Sequence, residues 1–115
     1  MTSAEKDCFA LIQQIAVLQD PFCIVCGRPS ECGHHLFGRG LAAAFNSEMV
    51  RGVCNEDHLK AHGKPDAFRM TMQSLMGWRY EELRRQANQP VPYMDFKVKR
   101  VELRAILEGL RRRAA

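Results

Sequence analysis

A chain of 115 residues, 46% hydrophobic and 26% charged, has the composition of one folded domain, which excludes wholesale disorder and leaves no room for a multi-domain assembly. Lys and Arg number 17 against 13 Asp and Glu, a formal charge of +4, so an acidic partner such as nucleic acid is favoured over a basic one. No stretch approaches the ~18 uninterrupted apolar residues of a membrane span, and the first residues lack a basic segment followed by an apolar run, so no membrane partner is expected and the cytoplasm is the expected compartment.

Thr2 and Glu5 have the spacing of a capping box, and Phe9, Ile12, Ile15 and Leu18 then recur at helical spacing until Asp20-Pro21; this predicts an amphipathic helix over residues 1–20. Phe22 to Val25 reads as a short strand running into Cys26-Gly27-Arg28-Pro29, where glycine and proline suit a tight knuckle. His34 to Phe37 is a second strand, followed by the loop Gly38-Arg39-Gly40 and a small-residue stretch up to Phe45. Met49 to Val53 returns as a third strand. Cys54 opens a polar segment, Asn55 to His62, and there His58 and His62 share one face if the backbone is helical.

Pro65 starts a helix with Phe68, Met72, Leu75 and Met76 as its apolar stripe, ending near Gly77. Tyr80 to Ala87 is a further short helix. After the stiff linker Asn88-Gln89-Pro90-Val91-Pro92, the residues Val98, Val101, Leu103, Ile106, Leu107 and Leu110 describe a last amphipathic helix. The fold class is therefore α+β and helix-rich, a single domain over 1–115 with a core at 21–64 and C-terminal helices over 65–115.

The five cysteines are an odd number, and four lie at or beyond Cys23 among the histidines, which suits metal binding better than a disulfide framework. Cys8 stands apart as a small core residue. Cys23-x2-Cys26 and Cys54 supply three thiolates for a structural zinc ion. Asp57 stands where a second Cys-x2-Cys pair would be completed, and a carboxylate binds zinc less favourably than a thiolate among sulfurs; Cys32 and His58 compete with it as fourth ligand. Cys32 otherwise reads as a small buried residue beside the strand.

All four histidines fall between His34 and His62. His34 and His35 are adjacent on a strand and point to opposite sides, so they have different tasks. His58 and His62 from a helix and His34 from the strand make a three-histidine site for a catalytic divalent ion, with positions left for water and a phosphate oxygen. His35 is then the general base, a role suited to a pKa near neutrality. Asn46 holds the loop and orients His35 through a backbone carbonyl. Three imidazoles favour Mn²⁺ or another transition metal over Mg²⁺, with the physiological ion open.

The run Cys23-x2-Cys26-Gly27, Gly33-His34-His35, Arg39-Gly40, Phe45-Asn46, Cys54-x2-Asp57-His58-Leu59 and His62 resembles the HNH, or ββα-metal, nuclease superfamily with its treble-clef zinc knuckle. From Phe68-Arg69 through Gly77, Glu81-Glu82-Leu83 and Val101-Glu102-Leu103-Arg104-Ala105-Ile106, it is similar to the NinG/Rap phage recombination nucleases. The resemblance runs from about Pro21 to the C-terminus and leaves out the first helix. It implies a ββα-metal core and a metal-dependent endonuclease that nicks DNA, branched recombination intermediates among its substrates, leaving 5′-phosphate and 3′-hydroxyl ends. In that pattern His35 matches the base, His34 the first metal ligand, Asn46 the central asparagine, and His58 or His62 the helix ligand. Asp57 departs from the family's zinc cysteine.

So small a motif needs flanking positive surface to hold a duplex. Arg39 beside His35 is placed for the scissile phosphate, and Lys97, Lys99, Arg100 and Arg111-Arg112-Arg113 can track the backbone; each arginine alone also fits a solvated helix face. Two nicks on a duplex need two sites, which favours a homodimer. The rival readings are a non-catalytic zinc-knuckle DNA-binding module and an HNH enzyme of restriction or packaging type.

Overall fold

The computed structural model describes residues 1–114. Five helices surround a two-stranded antiparallel sheet, in the order α1 (Ser3–Gln19), β1 (Cys32–His35), β2 (Val50–Val53), α2 (Asn55–Gly63), α3 (Pro65–Met76), α4 (Trp78–Ala87) and α5 (Phe96–Ala114). The α+β class read from the sequence is the class observed. Among the described residues no helix is long and apolar enough to cross a membrane.

Thr2 caps α1, its hydroxyl accepting the Glu5 N–H at 3.1 Å, which satisfies one of the helix's orphan donors. Helix α1 buries Cys8, Leu11, Ile12, Ile15 and Ala16 against Val50 of β2, Ala44 and Phe45 of the preceding loop, and Leu103 and Leu107 of α5. Leu18, expected on that stripe, lies at its solvent margin. Helix α5 likewise buries only Leu103 and Leu107, while Val98, Val101 and Ile106 face outward: packing on one neighbour, α1, covers a narrower stripe than the sequence offers. On α3, Met72 is buried but Leu75 is exposed. Gly77, at φ 60°, ends α3 in a conformation that favours glycine and turns the chain directly into α4.

Phe22 to Val25 does not form the expected strand. Its pairing is a single bridge, Phe22 to Pro29, because the backbone closes on itself instead: the Cys23 N–H donates to the Arg28 carbonyl at 2.6 Å and the Gly27 N–H to the Cys23 carbonyl at 2.9 Å. The next strand occupies Cys32–His35 rather than His34–Phe37, pairing Cys32 with Val53, Gly33 with Gly52, His34 with Arg51 and His35 with Val50.

Helix α1 crosses this hairpin at the glycine pair. A Cβ on Gly33 would come within 2.9 Å of Ala16 Cβ, and one on Gly52 within 2.5 Å of the Asp20 carbonyl oxygen. Two side chains of α1 and its cap exploit the closeness. The Gln13 carboxamide bonds both backbone groups of Gly33, accepting the N–H at 2.7 Å and donating to the carbonyl at 3.0 Å, as a third strand would. Asp20 accepts from the Arg51 guanidinium at 2.8 and 3.0 Å and from the Gly52 N–H at 2.9 Å.

Gly52→Ala meets two backbone oxygens and is expected to cost about 3 kcal/mol or more, whereas Gly33→Ala meets Ala16 Cβ, which moves only with α1, at a longer distance and should cost about 2 kcal/mol. Urea denaturation of the two variants measures the order directly.

Candidate metal centres and histidine cleft

The first centre is built by the knuckle and the start of α2. The bonds that close the knuckle, with Gly27 at φ 79°, aim Cys23 and Cys26 the same way, and the Ile24 N–H ties it to the Gly52 carbonyl of β2 at 3.2 Å. Cys54 caps α2, its sulfur accepting the Asp57 N–H at 3.4 Å, which sets Cys54 and Asp57 side by side on the first turn. Asp57 Oδ2 lies 3.2 Å from both Cys23 Sγ and Cys54 Sγ, Cys26 Sγ lies 3.7 Å from Cys54 Sγ, and one ligand atom from each of the four residues falls within 4.8 Å of all the others.

These distances suit a single tetrahedral ion. Zinc–sulfur bonds of about 2.3 Å place two thiolates about 3.8 Å apart, and a carboxylate oxygen about 3.5 Å from each sulfur. The electrostatics point the same way. The Asp57 carboxyl is held below its usual range by hydrogen bonds from the thiols, Cys26 foremost, with burial opposing. For Cys54 the Asp57 N–H favours the thiolate, but burial and the adjoining carboxylate and sulfurs outweigh it and push the thiol up to about 11. The Cys26 thiol is lowered by the Arg28 Nε–H, which donates to its sulfur at 3.3 Å, so the anionic form is favoured at Asp57 and Cys26 but not at Cys54, whereas a divalent cation stabilises all four ligands in their anionic forms. Cys23, Cys26, Cys54 and Asp57 can hold a metal such as zinc. Cys32 stands outside the group, its sulfur directed at the Val53 carbonyl at 3.8 Å.

The second centre joins β1 to α2. His34 Nδ1 and His58 Nδ1 are 3.2 Å apart, and His34, His58 and His62 each present a ring nitrogen within 4.8 Å of the other two. Metal–nitrogen bonds of about 2.1 Å require neighbouring nitrogens about 3.0–3.4 Å apart, so this donor set also fits one divalent ion. Burial, with the neighbouring imidazoles His58, His62 and His35 adding, lowers the His34 pKa to about 4. Burial and His62 lower that of His58 as well. Neutral rings offer lone pairs, the form a metal needs.

His35 is not in the triad. Its Nε2 meets the Ala44 carbonyl at 3.1 Å, and that carbonyl is held by a loop that Asn46 shapes: Asn46 Oδ1 accepts the Glu48 N–H at 2.9 Å, while its own backbone bonds Ala43 and Met49. Burial lowers the His35 pKa, the Ala44 carbonyl raises it, and Arg39 lowers it again. Arg39 stacks over the Phe9 ring at 4.9 Å, beside His35. Two adjoining cavities, of about 390 and 330 Å³, share His34, His35 and His62 in their walls; the larger adds His58, Gln13 and Arg39, the smaller Phe68, Arg69 and Tyr80.

Comparison of the chain with protein-family models, with curated proteins and with solved structures gives no match. The functional reading therefore rests on the chemistry of these groups.

The structure brings together His34, His35, Arg39, His58 and His62 around one cleft and Cys23, Cys26, Cys54 and Asp57 around a point. It does not bring the basic residues of α5 there. Lys97 and Arg100 line a different cavity, beside the start of α1; Arg100 pairs with Asp7, Lys99 with Glu102, Arg112 with Glu108, and Arg111 bonds Gln14. Gln13, Arg69 and Tyr80 were not expected as site residues from the sequence, Arg69 having entered only through the family resemblance. No spacing rule reaches them, because each joins the cleft from a helix outside the metal motif.

Two outcomes follow. Asp57→Ala is expected to lose retained zinc while Cys32→Ser keeps it, checked by metal content after gel filtration. Because the unfolded chain protonates His34 near pH 6.5 and the folded chain only near pH 4, this site's contribution to stability is complete above 6.5 and is lost as pH falls toward 4. Urea midpoints across that window, with the histidine site free of metal, should fall less steeply in His34→Asn.

Proposed function

We propose that this chain is a metal-dependent DNA endonuclease of the HNH type, with a ββα-metal core made by β1, β2 and α2. The observation that carries the reading is the three-imidazole cluster of His34, His58 and His62 beside a fourth imidazole, His35, held separately by a backbone carbonyl. Structural histidines seldom assemble in this way: three aimed at one point and the next one fixed by its own hydrogen bond.

His35, donating its Nε2–H to the Ala44 carbonyl, keeps Nδ1 as a lone-pair acceptor. Its lowered pKa keeps the ring neutral at physiological pH, so it can take a proton from the water that attacks phosphorus. As the new P–O bond forms, the bond to the 3′ oxygen breaks, leaving 5′-phosphate and 3′-hydroxyl ends. A divalent ion held by His34, His58 and His62 would supply stabilisation of charge on the phosphoryl and leaving oxygens. Arg39, anchored on Phe9, faces the same cleft and is suited to a non-bridging oxygen. The Cys23, Cys26, Cys54 and Asp57 group has no open position for substrate when it holds zinc, so its role is structural.

Nicking of supercoiled plasmid with Mn²⁺ or Mg²⁺ tests the reading. Wild type should nick, and His35→Ala should lose roughly 10²–10⁴-fold with zinc content unchanged. The acid limb of the rate profile should have its midpoint below 6.5, since the base is active when deprotonated and its pKa is depressed. Nicking that survives His35→Ala removes the assignment of the base; DNA binding without any nicking favours a zinc-knuckle binding module.

A further inference from the structure

Tyr80 on α4 and Arg69 on α3 stand in the wall of the smaller cavity, next to His34, His35 and His62, and take no part in the chemistry above. Tyr80 is 4% exposed, its ring packed against Phe37 with centroids 5.1 Å apart. Among the described residues its hydroxyl has no hydrogen-bond partner. The fully buried side-chain polar atoms that lack partners are Ser30 Oγ and Arg100 Nε; the Tyr80 hydroxyl is not among them, and its residue lines the cleft. A phenol nearly enclosed by protein normally finds a partner; with none on the protein, a group entering the cleft that Tyr80 lines can supply one.

Arg69 pairs with Asp66 at 3.1 Å, but Asp66 is 84% exposed and three residues away on the same helix. Such a surface pair is weak and leaves most of the guanidinium's five N–H donors free. Burial pushes the Tyr80 phenol up, with Arg69 and Arg84 pulling it down, and the ring is a neutral donor at pH 7. No acidic residue lines this cavity. The wall therefore offers donors and positive charge, and the carboxylates nearest to them, Asp66 beside Arg69 and Glu81 beside Tyr80, do not line it.

Resting on the endonuclease reading, we propose that Arg69 and Tyr80 form a phosphate-binding subsite that holds the nucleic-acid backbone phosphate next to the one being cleaved. Arg39 lines the larger cavity and Arg69 the smaller, with the imidazoles shared between them. A backbone crossing the cleft thus meets a cation on each side of the reacting centre. Helices α3 and α4, which lie outside the metal motif, acquire a function: they build one bank of the substrate channel.

The test is steady-state cleavage, with Mn²⁺, of a short labelled DNA duplex whose cleavage position has been mapped, for wild type, Tyr80→Phe, Arg69→Gln and the double variant. Tyr80→Phe keeps the ring that packs on Phe37, and circular dichroism with zinc content verifies the fold of each protein. A charge-assisted hydrogen bond lost to either substitution is expected to reduce kcat/KM about tenfold, most of it as a rise in KM. A substrate with one uncharged methylphosphonate at a phosphate flanking the cleavage position should lose about tenfold with wild type and little further with the double variant. Variants with wild-type KM, or a methylphosphonate penalty undiminished in the double variant, overturn the subsite while leaving the nuclease reading intact. Wild-type protein that neither cleaves nor binds the duplex overturns both.

Discussion

Three cysteines and an aspartate drawn to within 4.8 Å of one another repel one another when all four are anionic, unless a cation is shared. That constraint sets the rest of the site. Cys54 and Asp57 form the first turn of α2, so whatever holds them to the knuckle also fixes the position and the rotation of that helix. His58 follows Asp57 directly, and His62 is one turn further on. Aiming the helix start at the first centre therefore aims the two imidazoles at His34. A bound structural zinc typically contributes ~10 kcal/mol or more, comparable to the whole stability of a domain this size, which is enough to hold a short helix that buries only Asp57 and Ala61.

The other half of the site is fixed by a different means. β1 and β2 form a two-stranded sheet, too small to be stable alone, and α1 supplies what a third strand would. Gly33 and Gly52 let the helix approach to a distance no side chain permits, Gln13 bonds the outer edge of β1 at the residue before His34, and Asp20 bonds β2 through Arg51 and Gly52. The hairpin's histidines are thus positioned by packing and hydrogen bonds, and the helix's histidines by the cysteine and aspartate centre. The cleft lies where the two clamps meet.

Much of this was legible in the sequence because it is local. Thr2 with Glu5, Pro65 at a helix start, Gly77 at a helix end and the i, i+4 pair His58 and His62 each carry their meaning within one turn. Cys23-x2-Cys26 and the clustering of the histidines pointed, without any fold, to the groups that the structure brings close enough to hold a metal. What misled were patterns with two outcomes. Phe22 to Val25 has the residues of a strand, but the knuckle claims its backbone groups. Val98, Val101 and Ile106 have helical period, but α5 meets only one partner. Apart from these, the pairing of α5's basic residues is not readable from the sequence: Arg100 and Arg111 bond to α1, and Lys99 and Arg112 pair on their own helix. Gln13 and Tyr80 left no signal, and Arg69 only its place in the resemblance, since their positions at the cleft come from contacts across long separations in the chain.

X-ray absorption during addition of Zn²⁺ to the metal-free protein reads each donor set in turn. The first equivalent should be bound by three sulfurs at about 2.3 Å and one oxygen at about 2.0–2.2 Å, and the second should bring a shell of three imidazole nitrogens at about 2.0–2.1 Å. A first shell of four sulfurs, which would require Cys32, or a second equivalent without imidazole scattering would contradict this assignment of ligands.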